Sequence, residues 1–66
     1  MKTKEAIQGS ISTLKHRKEQ MIDYLLMKVE IGDWHGVADA AMDIREIDAE
    51  IRALHFATAT QLPEAP

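Results

Sequence analysis

The sequence predicts an all-α protein: an antiparallel two-helix hairpin with coiled-coil-like packing, oligomerising into a four-helix bundle or a higher ring. Three observations carry this. Two long segments repeat apolar residues at alternating spacings of four and three, the period of a helix with one buried seam. Gly32-Asp33 stands between them, and these residue types stop one helix and start another. Both segments also hold more apolar residues than one seam uses, which leaves surface for further copies to cover.

The first helix is predicted from about residue 3, with Thr3 as N-cap, to residue 31. Its seam is Ile7, Ile11, Leu14, Lys18, Met21, Leu25 and Lys28. Gly9, Ser10, Ser12 and Thr13 are weak helix formers, so fraying is expected in the first two turns. Gly32 supplies the left-handed residue that ends a helix, and Asp33 the carboxylate that caps the next one. The second helix is predicted over about residues 34–57, with Val37, Ala40, Ile44, Ile47, Ile51 and Leu54 as seam. Asp33 and Asp39 lie near its positive end and His55 near its negative end, as the helix dipole favours. Asp48 and Arg52 are spaced for an i,i+4 pair. Residues 58–66, TATQLPEAP, contain two prolines and no periodicity, and read as a flexible tail.

Folding at residues 32–33 pairs positions whose numbers sum to about 65. Lys28 then meets Val37, Leu25 meets Ala40, and Met21 meets Ile44. Further out, Lys18 meets Ile47, Leu14 meets Ile51, and Ile11 meets Leu54. Two seams found separately thus align throughout, the agreement between levels expected of a sequence that specifies one fold. Residues 1–31 carry six Lys/Arg against four acids and residues 32–66 two against seven. Opposite charge on the halves favours antiparallel pairing and argues against a general polyanion binder, making DNA an unexpected partner.

A 66-residue chain buries only a small core and needs staples. Without cysteine there are no disulfides, so self-association is the expected remedy. No apolar run approaches the roughly 20 residues of a membrane span, and the N-terminus lacks the apolar stretch of a signal peptide. A cytoplasmic protein is expected. The leftover apolar residues form two strips. Ile22, Leu26 and Val29 lie beside the first seam, and Met42, Ala49 and Phe56 recur every seven residues on the second helix. With Trp34, the residues Ile22, Leu26, Val29, Met42 and Phe56 form the expected oligomer or partner interface. Trp34 has two readings: packing on Val37, Ala38 and Ala41 to close the hairpin end, or serving as a stacking platform or binding hot spot.

Candidate chemistry is sparse. No nucleophile–base pair, phosphate-binding glycine loop or zinc motif appears, so no catalytic residue, cofactor or metal is expected. His35, Asp39 and Asp43 recur at i, i+4, i+8, but solvated acids share that spacing. Glu46, Asp48 and Glu50 resemble the carboxylate-rich helices of all-α nucleotide pyrophosphohydrolases, yet the first helix lacks the second paired motif that family requires. In the basic cluster Lys15, His16, Arg17 and Lys18, the seam residue Lys18 is expected to reach Glu46 or Glu50; the other reading is a phosphate contact. Tyr24, Lys28, His35 and Arg45 set an aromatic group beside cations, an arrangement suited to a nucleotide signal at a subunit junction.

The hairpin plan and charged outer faces resemble the Rop family of RNA-binding dimers in architecture alone. The stretch GDWHGVADAAMDIREIDAEI, residues 32–51, resembles small helical-hairpin proteins of bacteriophages and prophages. That resemblance implies an accessory or anti-defence protein whose partner is a host protein. The resulting expectation is a non-enzymatic homo-oligomer that works by binding, with nucleotide sequestration and RNA binding as alternatives.

Overall fold

The computed structural model describes residues 2–61, with side chains placed for residues 4–59. Two helices, α1 (Lys2–Glu30) and α2 (Trp34–Gln61), pack against each other as an antiparallel hairpin. The Cα radius of gyration is 15.5 Å, against about 11 Å for a compact domain of this length. No described helix is long and apolar enough to cross a membrane.

The helices are joined by residues 31–33, and Gly32 and Asp33 build the reversal. Gly32 sits at φ 73°, a left-handed conformation that a Cβ would penalise. Its N–H donates to the Val29 carbonyl at 3.0 Å, and the Asp33 N–H donates to the Lys28 carbonyl at 2.9 Å. This pair of bonds is the Schellman ending, which satisfies carbonyls that the end of α1 would leave free. Asp33 then caps α2. Its carboxylate accepts the Gly36 N–H at 3.0 Å, and its carbonyl accepts the Val37 N–H at 3.0 Å. One residue therefore closes both helix ends, which keeps the connection short and the register defined.

Every predicted seam residue is buried or half-buried, from Ile7 to Lys28 on α1 and from Val37 to Leu54 on α2. The apolar core gathers around Ile11, Ile47 and Ile51, with Ile7, Leu14, Met21 and Leu54 packed against it. It lies toward the end of the hairpin away from the turn. Nearer the turn, the only buried apolar side chain among the described residues is Ala40.

Three expectations are corrected. The segment around Gly9 to Thr13 is continuous helix, and the Thr13 hydroxyl donates to the Gly9 carbonyl at 3.1 Å instead of competing for the helix N–H groups. The second helix does not end at residue 57 but runs through Gln61. Thr58 is accommodated because its hydroxyl donates to the Leu54 carbonyl at 3.0 Å, and the first helix-breaking residue is Pro63. The rest of the expected tail, residues 62–66, lies outside the described residues. Lys18 pairs with neither Glu46 nor Glu50; its Nζ lies 2.7 Å from Asp48 Oδ1. Asp48 leans across the seam toward this cation, which engages it in place of the i,i+4 partner expected from spacing.

Candidate functional site

The side chains that set the turn half apart begin with Lys28. As the third residue from the end of α1, Lys28 faces Asp33 across the Schellman turn, where an apolar contact is usual. Here the contact is ionic, with Lys28 Nζ 3.2 Å from Asp33 Oδ2. The same ammonium sits 5.1 Å from the centroid of the Tyr24 ring, one helical turn away. The Gly36 N–H, and after it Lys28, holds the Asp33 carboxyl below its ordinary pKa. The hydrogen bond that Lys28 donates to Asp33, and after it Tyr24, raises Lys28 above its own. A Cβ on Gly36 would come within 2.8 Å of Asp33 Oδ2 and 2.9 Å of Lys28 Cδ. Gly36 is therefore the floor on which the ion pair lies. It was not among the expected site residues. Its one signal in the sequence is that a glycine in the first turn of a capped helix costs about 1 kcal/mol against alanine and so invites a steric explanation.

The residues expected to bind a nucleotide are placed as follows. Tyr24 and Lys28 are together, and Lys28 is engaged by Asp33. His35 is almost wholly exposed and lies 3.4 Å from Asp39. Arg45 borders a different groove, on the outer face of α2, with Met42, Glu46, Asp48, Ala49 and Arg52. Among the described residues no group of three or more His, Asp or Glu side chains is placed to hold a metal ion.

The expected interface residues are all exposed: Ile22, Leu26, Val29, Trp34, Met42 and Phe56. Trp34 is 67% exposed, more than a side chain closing the hairpin end would show. The Lys28–Asp33 pair closes that end instead. Tyr24, Met27 and Ile31 are exposed as well, so the turn half displays apolar side chains on both flanks. Met27 and Ile31, which were not among the expected interface residues, fall on the flank opposite Ile22 and Leu26. Toward the open end, a shallow groove lies between the helices, lined by Ala6, Gly9, Ser10 and Thr13 of α1 and by Ala53 and Leu54 of α2.

Comparison with protein-family models, curated proteins and solved structures finds no match. The fold and the exposed surface place the chain in a structural class, the two-helix hairpin with an uncovered apolar turn half.

Proposed function

We propose that the protein is a non-enzymatic, homo-oligomeric helical protein that works by binding, with a host protein as the partner that the phage-type resemblance implies. One observation supports this most directly. Four apolar side chains are buried, Ile11, Ala40, Ile47 and Ile51, while nine large ones are exposed among the described residues. Covering a large aliphatic side chain is worth about 1.5–3 kcal/mol. Several such side chains left in water forfeit a large part of a small domain's stability, and a second copy recovers it. Sedimentation velocity over a micromolar concentration series tests the proposal. The expected mass is a multiple of the 7.4 kDa chain, with a melting temperature that rises with concentration. A 7.4 kDa species throughout would overturn self-association.

Nucleotide sequestration has weaker support, because Lys28 already has a carboxylate partner and Arg45 borders another groove. It predicts a raised melting temperature with cyclic nucleotides or adenosine-diphosphate-ribose derivatives.

A further inference from the structure

The self-association proposed above has a preferred face and register, and both rest on that proposal. At about 100° per residue, Ile22, Leu26 and Val29 lie on one flank of the α1 seam, and Tyr24 and Ile31 on the other. The Lys18–Asp48 bridge spans the helices on the first flank. The Ile22 flank continues onto α2 through Trp34, Ala38 and Ala41, with Met42 at its border, and all of these are exposed.

The opposite flank differs in charge. Asp39, Asp43, Glu46 and Glu50 run along α2 there, and Arg17, Asp43, Glu46 and Glu50 share one groove. A two-fold contact sets a surface against itself. On the acidic flank it would oppose carboxylate to carboxylate, whereas on the Ile22 flank it opposes apolar to apolar. The five large side chains of the Ile22 flank, Ile22, Leu26, Val29, Trp34 and Met42, are between 37% and 67% exposed.

Register is set by where that patch stops. Beyond it, the same flank becomes Lys15, Ser12 and Gln8 on α1 and Arg45 and Arg52 on α2, with Phe56, five turns from Ala38, as its large apolar side chain. A parallel dimer would bring Arg52 toward its own copy. A fully overlapped antiparallel dimer would bring Leu26 level with the second copy's Phe56 but lay the rest of the patch over the polar open half. A short antiparallel overlap centred near Leu26 sets the whole patch against itself and matches more apolar surface than either alternative.

We infer that two copies of this chain associate through the Ile22–Leu26–Val29 flank, antiparallel and overlapping only at their turn halves. The two open ends point outward, and Phe56 and the small-residue groove stay clear of the contact.

The chain has no cysteine, so single spin labels can be placed at will. With Glu5→Cys, a turn-half overlap puts the two labels about 63 Å apart. Full overlap gives about 36 Å, and a parallel pair about 20–25 Å, taking 1.5 Å rise per residue. With Asp23→Cys the expected separation is about 20–30 Å. The double variant Ile22→Gln/Leu26→Gln is expected to weaken dimerisation more than tenfold with helical circular dichroism unchanged, because the core around Ile11 and Ile51 is untouched. A dimer whose Glu5 labels lie at about 36 Å or less overturns the overlap and leaves self-association standing. A monomer at the labelling concentration overturns both.

Discussion

Toward its open end the hairpin packs Ile11, Leu14, Ile47 and Ile51 into a common core, and Phe56 is the large apolar side chain left outside there among the described residues. From Met21 to the turn the seam holds Leu25 and Lys28 against Ala40, Val37 and the buried Gly36. The larger side chains of that half, Ile22, Leu26, Met27, Val29, Ile31 and Trp34, stand on the flanks and tip. The halves therefore solve the same problem differently. In the open half, branched aliphatics at seam positions bury apolar surface within one chain. In the turn half, the seam sets Leu25 and Val37 beside Ala40, Gly36 and the Lys28–Asp33 pair, and most of the large apolar side chains face outward. Seam composition decides whether a helix pair is self-sufficient or presents an interface.

The strongest way to break this contrast is to empty the open-half core. Ile47→Ala should cost about 2–5 kcal/mol, as large-to-small changes at buried sites do, and should abolish most helical circular dichroism near room temperature. Met42→Ala, at an exposed site of the turn half, should leave the fold intact. Comparable losses from both would mean that the open half is not the source of monomer stability.

The turn comes next. Gly32→Ala forces a Cβ into a left-handed backbone, at about 1–2 kcal/mol, and should lower the melting temperature by about 5–10 °C. A change below a degree would show that the Schellman geometry does not hold the reversal.

The Lys28–Asp33 pair can be isolated by pH. The folded-state pKa of Asp33 is lowered, so its stabilisation is present above the ordinary carboxylate value and is lost as pH falls through the lowered one. Lys28 is raised, so its share is present below the ordinary lysine value and is lost as pH rises through the raised one. Asp33→Asn keeps a capping side chain but removes the charge. It should flatten the acid limb of the stability profile, with a modest fall in melting temperature near neutrality. An acid limb identical to that of the parent protein would remove the pair from the account. Gly36→Ala should push the Asp33 pKa back up in an NMR titration, because the added methyl displaces the carboxylate.

The smallest effect is expected at Lys18. Its ion pair with Asp48 is about one-third exposed at both ends, and such pairs contribute at most ~1 kcal/mol. Lys18→Met should shift the melting temperature by less than about 5 °C, and a larger loss would give the bridge a role in setting register.

Much of this architecture was legible in the amino-acid order. The seams, the reversal at Gly32-Asp33 and the apolar residues in excess all follow from local regularities: a 3.6-residue period, a residue tolerant of positive φ, and a short carboxylate at a helix start. Each depends on neighbours along the chain, so sequence suffices to find it. The partner of Lys18, the ion pair resting on Gly36, the exposure of Trp34 and the continuation of α2 to Gln61 were decided only in the folded hairpin. Which carboxylate a long flexible cation reaches, and which side chain closes the turn, depend on the level and tilt of the opposing helix. Those become defined only when the two helices pack.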